Sequence, residues 1–194
     1  IESRWGLQVI RDMLRGYRDG RATPELMESL LQISMDDLDR DFDAYFKQRF
    51  DAPLNALQLP PSSPGIPQSP RTIEDWTRVV RENPGNFPAR LALGIMLYQE
   101  ERLEEAEEHL RAALRLFPEY GGMDSPYWFL AQIHKQRGET EPAAAALARL
   151  TALNESHYEA LLQLAELRTE LGDAAGAAEA MDAAVLIYPY EIEL

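Results

Sequence analysis

The side chains with the widest chemical repertoire in this 194-residue sequence are three histidines, His109, His134 and His157. None belongs to an HExxH pair, in which two histidines one helical turn apart hold zinc beside a general base. Glu105 and His109 are four residues apart, so on a helix they share a face and offer two ligands. A zinc centre needs more than that, which leaves an exposed polar pair as the simpler reading. His134 falls within an apolar pattern, where an interior histidine with a hydrogen-bond partner is expected rather than a ligand. Glycine occurs as Gly121-Gly122 and singly, never in the GxxxxGK spacing that cradles phosphate. Acidic residues are abundant, yet no pair stands apart as acid and base. Cysteine is absent, which removes disulfides, thiolate metal sites and cysteine nucleophiles. The expectation is a chain with no catalytic residues, no metal site and no cofactor.

Composition narrows the classes further. Against 33 Asp and Glu stand 19 Lys and Arg, a formal charge of −14 that repels a phosphate backbone and argues against nucleic-acid binding. The longest apolar run is Leu91 to Tyr98, far short of the about 20 residues that a bilayer span needs, so no membrane insertion is expected. The chain opens on Ile1 with helix-like patterning close behind and ends on an apolar-rich segment around Tyr188 and Ile192. Both ends read as those of a piece from a longer polypeptide. No targeting signal is visible, and the cytoplasm and the bacterial periplasm both stay open.

The elements that must position any binding residues fall into three stretches. Residues 1–50 read as a small helical unit, the end of a larger upstream domain. Leu7, Ile10, Leu14 and Tyr17 recur at helical spacing and predict a buried stripe on a helix from about Ser3 to Arg18, stopped at Gly20. Thr23-Pro24 opens a second helix. Ser34 with Asp37 resembles a capping box before a third, whose buried stripe is expected at Met35, Leu38, Phe42, Tyr45, Phe46 and Phe50. Residues 51–70 hold six of the 13 prolines and read as a linker. Pro61, Pro64, Pro67 and Pro70 recur every third residue, a polyproline II spacing for which a semi-rigid spacer is the simpler reading.

From residue 71 the chain repeats itself. Small residues stand at Gly94, Ala131 and Ala165, offsets of 37 and 34, the longer one carrying an insertion at Gly121, Gly122 and Met123. The same offsets relate Leu93, Leu130 and Leu164; Ala106, Ala143 and Ala177; Leu110, Leu147 and Met181; and Ala113, Leu150 and Ala184. Small residues at these positions let two helices approach to roughly 8 Å while a large neighbour fills the space, so Gly94 and Ala106 should meet across the first hairpin. A period near 34 with this pattern resembles the tetratricopeptide repeat. The resemblance implies an all-α, antiparallel helix-pair solenoid with a right-handed superhelix, preceded by the small helical unit and the proline-rich linker. Repeats are expected at 87–120, 124–157 and 158–191, with 71–86 as a capping helix in which Trp76 and Val79 take the large and small positions.

In that family the first helices line a concave groove. Carried over to this sequence, the partner-binding positions are Leu91, Ile95, Tyr98 and Gln99; Ser125, Trp128, Gln132, Lys135 and Gln136; and Glu159, Leu162, Glu166, Thr169 and Glu170. They imply a groove apolar at one end and acidic at the other, suited to a protein or peptide partner with a basic segment. Leu91 and Ile95 either line it or are covered by neighbouring structure. The Lys, Asn and Arg positions that grip a terminal carboxylate in some members hold Leu, Ile, Gln and Glu here, so that mode is not expected. Residues 158–194 carry Arg168 against eight acidic residues, a net −7. Self-association through the end around Tyr188 and Ile192 is a further expectation.

The stretch Trp5-Gly6-Leu7, Met13-Leu14, Tyr17 to Gly20, Ser34 to Arg40 and Phe42 to Tyr45 resembles the tail behind the catalytic helices of bacterial gluzincin-type (peptidase MA-like) metallopeptidases, some of which carry C-terminal tetratricopeptide repeats. Their zinc ligands would precede Ile1, so no catalytic residue carries over. The functional expectation is a non-enzymatic interaction scaffold, with the accessory arm of a zinc peptidase as the alternative.

Overall fold

The structure is a computed structural model that describes residues 2–57 and 71–188. It divides after Asp51 into two compact units.

The first unit begins with a short helix, α1 (Glu2–Trp5), cut off at Gly6, whose φ of 81° lies in the left-handed region. The expected single helix from Ser3 is therefore two. Next comes α2 (Leu7–Arg18), which ends before Gly20 (φ 80°). Then α3 (Thr23–Leu26) runs directly into one π-helical turn, Met27–Leu31, closed by Gln32 in the left-handed conformation. The long α4 (Met35–Leu57) opens on a reciprocal cap. The Ser34 hydroxyl accepts from the Asp37 N–H at 3.1 Å, and the Asp37 carboxylate accepts from the Ser34 N–H at 3.4 Å. The Ser34 hydroxyl also donates to the Asp37 carboxylate at 2.7 Å, and this bond first, with the Ser34 N–H second, holds the Asp37 carboxyl below its ordinary range.

Both predicted stripes of this unit need correction. Its core is Met13, Met27 and Leu31, backed by Trp5, Val9, Leu30, Ile33, Met35 and Leu38. On α2 that inner side is Val9, Met13 and Gly16, while Leu7, Leu14 and Tyr17 face outward. On α4 only the first turns reach the core, and Phe42, Tyr45 and Phe46 are exposed. The reason is length: 23 residues make a rod of about 34 Å, longer than anything α2 and α3 can cover. The aromatics stack along the rod instead, with Phe46 and Phe50 centroids 4.8 Å apart.

The expected linker also starts too early, because α4 continues through Pro53 to Leu57. Proline removes one helical hydrogen bond. Burial of Ala56 in the same cluster as Val79, Val80 and Phe87 offsets that loss. The rest of the linker, with its polyproline spacing, lies outside the described residues.

The second unit is a run of helical hairpins. A leading helix, α5 (Ile73–Glu82), is capped by the Thr72–Asp75 box. Three pairs follow: α6 (Phe87–Gln99) with α7 (Leu103–Leu116), α8 (Pro126–Gln136) with α9 (Thr140–Leu153), and α10 (Tyr158–Glu170) with α11 (Ala174–Ile187). Each pair packs on itself and on the next, and α5 packs on α6. This is an antiparallel helix-pair solenoid. Trp76 packs against the cluster of Val79, Val80, Phe87, Leu93 and Leu110. The first helices start with Asn86, Ser125 and His157, whose side chains each accept a backbone N–H of the first turn.

The repeat offsets reappear as geometry. Ala106, Ala131, Ala143 and Ala113 have no exposed surface, and Gly94 and Ala165 are buried beside them. A Cβ built on Gly94 would stand 2.9 Å from two side-chain carbons of Leu110 and 3.3 Å from its backbone nitrogen. The space beside Gly94 is thus filled by Leu110. Gly94→Ala should lower stability by about 1–2 kcal/mol, because overpacking outweighs the better helix propensity of alanine. A denaturant midpoint at or above the native value would show that Leu110 yields freely.

The turns inside the three hairpins also share a register. Glu101, Gly138 and Gly172, again 37 and 34 residues apart, all adopt positive φ, of 59°, 72° and 77°. Only the first is not glycine, and a side chain there costs roughly 1 kcal/mol. Glu101→Gly should therefore raise stability by about 0.5–1 kcal/mol, read as a higher denaturant midpoint; a decrease would mean that the Glu101 side chain contributes elsewhere. The insertion between the first and second pairs is held by Tyr120, whose hydroxyl donates to Asp124 at 2.6 Å. Burial first, and that bond second, push the Tyr120 phenol up to about 12.

Candidate functional site

The groove positions read from the sequence sit on α6, α8 and α10, and the structure sorts them by burial. Leu91 is buried in the N-terminal core at 5% exposure, so it offers no surface to a partner. Ile95, Tyr98, Trp128, Gln132, Lys135, Leu162 and Thr169 are half-buried, and Gln99, Gln136, Glu159, Glu166 and Glu170 are exposed. Ser125 is fully buried as the cap of α8 and is likewise unavailable.

Several of these side chains tie the first helices to one another. The Tyr98 ring meets Phe129 edge-on at 5.5 Å, and the Gln136 amide donates to the Tyr98 hydroxyl at 3.3 Å. One level further, Gln163 accepts from the Gln132 amide at 3.0 Å and from the Lys135 ammonium at 2.9 Å. Phe129 and Gln163 are 34 residues apart, so the same repeat position reads the preceding helix at both levels. Sequence reasoning missed both residues. The offset that aligned the small residues was the signal that could have found them.

Trp128 stands over His157, with centroids 5.1 Å apart and planes 25° from parallel. His157 is 2% exposed, and its Nδ1 accepts from the Ala160 N–H at 3.3 Å. That places the imidazole proton on Nε2, which is buried and finds no hydrogen-bond partner among the described residues. The Trp128 ring therefore belongs partly to the groove and partly to the fold. Trp128→Ala should cost about 1–3 kcal/mol, through a lost stacking pair and uncovered His157. His157→Asn should cost less than His157→Ala, since asparagine restores the cap. Equal denaturant midpoints for those two variants would show that the cap contributes nothing.

The metal reading of Glu105 and His109 finds other partners in the structure. Glu105 makes a two-pronged ion pair with Arg102, both bonds 2.7 Å, and His109 Nδ1 lies 3.0 Å from the Arg90 guanidinium. Burial and then Arg90 lower the His109 pKa. His134 is buried and its Nδ1 lies 2.5 Å from the carboxylate of the exposed Glu139, so the histidine has a hydrogen-bond partner at the α8–α9 turn. Among the described residues no three potential ligands converge. No helix among them is long and apolar enough to cross a membrane.

Comparison with known proteins agrees with this architecture. The family profile described as Tetratricopeptide repeat matches residues 70–120 and 130–192. No curated protein sequence matches the chain. Among solved structures, the crystal structure of MamA superposes with a TM-score of 0.54 at 25% identity, over 60% of this chain and 67% of that one. A tetratricopeptide repeat protein from Parabacteroides merdae gives a TM-score of 0.55 at 23% identity, over 62% and 47%. YrrB, described as a TPR protein with an unusual peptide-binding site, gives 0.51 at 18%, over 61% and 60%. The matched region thus spans about two thirds of the MamA chain and less of the other two. The periodic small residues, the three stacked hairpins and a family profile covering more than half of the residues together establish that the chain belongs to the tetratricopeptide repeat family.

Proposed function

We propose that this chain is a protein-interaction scaffold that holds a peptide or helix against the face formed by α6, α8 and α10. The observation that carries the reading is a set of half-buried and exposed side chains at the same repeat positions on successive first helices. It passes from Ile95 and Tyr98, through Trp128, Gln132 and Lys135, to Leu162, Glu166 and Thr169. Its ends differ: apolar side chains on α6 suit an aliphatic or aromatic anchor, and Glu159, Glu166 and Glu170 on α10 suit a basic segment. The peptide-binding site named for YrrB supports the class of ligand and nothing finer.

The test is selection of peptides from a random library on the immobilised chain, followed by anisotropy titration of the enriched sequences. Peptides pairing an apolar anchor with Lys or Arg are expected, with affinities weakened about tenfold or more by Tyr98→Ala and by Leu162→Ser. Enriched peptides indifferent to both substitutions would place the binding surface elsewhere.

A second reading rests on one observation, the resemblance of residues 1–50 to the tail of a gluzincin-type domain. On it, the repeats position substrate for a zinc peptidase. The coding sequence upstream of Ile1 decides this: an HExxH motif with a later helical Glu, and about one zinc bound per full-length chain, support it. Absence of both removes it.

A further inference from the structure

The first helices carry different chemistry at equivalent repeat positions. Ile95, Gln132 and Glu166 are related by the offsets of 37 and 34, and so are Tyr98, Lys135 and Thr169 one turn further along each helix. Only the middle level of this face places a cation there. Lys135 is half-buried, and its ammonium donates to the amide oxygen of Gln163 at 2.9 Å. It makes no ion pair with any described carboxylate, although the chain carries a net −14. Glu166 and Glu170 on the neighbouring α10 are exposed and do not reach it. A partly desolvated ammonium held by one neutral acceptor is a site for a carboxylate from outside the chain.

Lys135 also fixes the amides beside it. An ammonium only donates, so the Gln163 atom that faces Lys135 is the oxygen. Gln132 meets that same oxygen at 3.0 Å and must present its NH₂ group to it. This leaves the Gln132 amide oxygen and the Gln163 amide nitrogen, neither of which has a partner among the described residues. One acceptor and one donor on adjacent helices complement the N–H and C=O of an extended chain. A helical ligand has already paired its own backbone groups.

Helices in contact lie about 8–10 Å apart and an extended chain advances about 3.3 Å per residue, so three residues carry it from one first helix to the next. Resting on the scaffold reading, we propose that the partner segment is extended and carries an Asp or Glu whose side-chain carboxylate meets Lys135. An apolar residue lies three positions to one side, over Tyr98, and a Lys or Arg about two to four positions to the other, beside Glu166. The acidic residue sets specificity. A basic residue at its place faces the Lys135 ammonium, and an apolar one covers that ammonium without a counter-ion.

The test is selection of random peptides of about 12 residues, long enough to cross three helices, on the immobilised chain. Enriched sequences are then synthesised with amidated C-termini and titrated by anisotropy. Asp or Glu should be enriched between the apolar and the basic residue. Lys135→Glu should weaken these peptides about tenfold or more, and changing their acid to Lys should restore affinity for that variant by about as much. Lys135→Met, which keeps the length and removes the charge, should abolish the preference for Asp and Glu over Asn and Gln. Circular dichroism melts check the fold of both variants, and Lys135→Met carries the test if Lys135→Glu does not fold. Peptides that lose affinity with Tyr98→Ala and Leu162→Ser, yet ignore Lys135 and their own acid, overturn this proposal and leave the scaffold reading standing. A failure to enrich any peptide, or indifference to all of these substitutions, overturns both. Enriched acids that matter only as a free C-terminus, with affinity lost on amidation, assign Lys135 to a chain end and also overturn the proposal.

Discussion

Ala106→Arg is expected to unfold the N-terminal half of the solenoid. Ala106 lies on α7 with no exposed surface, in the cluster that joins Leu93, Leu97, Leu110 and Ala113. An arginine there either separates α6 from α7 or buries a guanidinium with no carboxylate within the cluster. Overpacking alone costs about 1–3 kcal/mol, and an unpaired buried charge adds several more. A loss on the order of 5 kcal/mol consumes much of the 5–15 kcal/mol that holds a typical domain. Because each hairpin is supported mainly by its neighbours, loss of α6–α7 also uncovers α8. The checkable result is a far-UV circular dichroism melt with a large drop in midpoint and reduced helix signal at low temperature. An unchanged melt would mean that the repeat register assigned from Gly94, Ala131 and Ala165 is wrong. The control is Glu108→Arg on the exposed side of the same helix, expected within about 0.5 kcal/mol of native.

Phe87→Ala is the second large effect. Phe87 starts α6, is 2% exposed, and meets Phe117 edge-on at 5.6 Å and Tyr120 at 4.8 Å. These three rings join the beginning of α6 to the end of α7 and to the insertion that follows it. Truncation of a fully buried phenylalanine costs about 3–5 kcal/mol, part from lost transfer and part from the cavity that remains. In a chain of this size that corresponds to a fall in melting temperature of roughly 10 °C. Phe87→Leu keeps most of the volume and should cost under about 1.5 kcal/mol. A loss below 1 kcal/mol for the alanine variant would show that Phe117 and Tyr120 collapse into the space.

Legibility of the molecule from its sequence divides sharply at the linker. In the repeats, a partner for each small residue lies a fixed distance along the chain, so Gly94, Ala131 and Ala165 were sufficient to place every hairpin. The turn residues Glu101, Gly138 and Gly172 follow the same offsets. In the first unit there is no repeat to align. A spacing of three and four identified helices correctly but left open which side of each met its neighbours. Hence Leu7, Leu14, Phe42 and Tyr45, expected inside, are exposed, while Met13 and Gly16 carry the core. Periodicity gives an angle around a helix axis, and the direction from which another helix arrives is a separate quantity.

The candidate site shows the same division. Family register located Tyr98, Trp128, Gln132, Lys135, Leu162, Glu166 and Thr169 on the first helices, but it could not tell that Leu91 is enclosed in the core. Neither could it show that Trp128 stacks on His157, or that Gln163 gathers Gln132 and Lys135.

The sequence by itself therefore determined the helical hairpins, their period and the acidic character of the last repeat, because those properties arise from residues within one or two turns or at one constant offset. Tertiary structure alone decided which faces are covered. That includes the continuation of α4 past Pro53, held by the burial of Ala56. It includes the open groove beside Met181, where the same repeat position that is buried at Leu110 and Leu147 is left exposed. The physical reason is that burial depends on what packs against a face, and for the last hairpin no further helix among the described residues arrives.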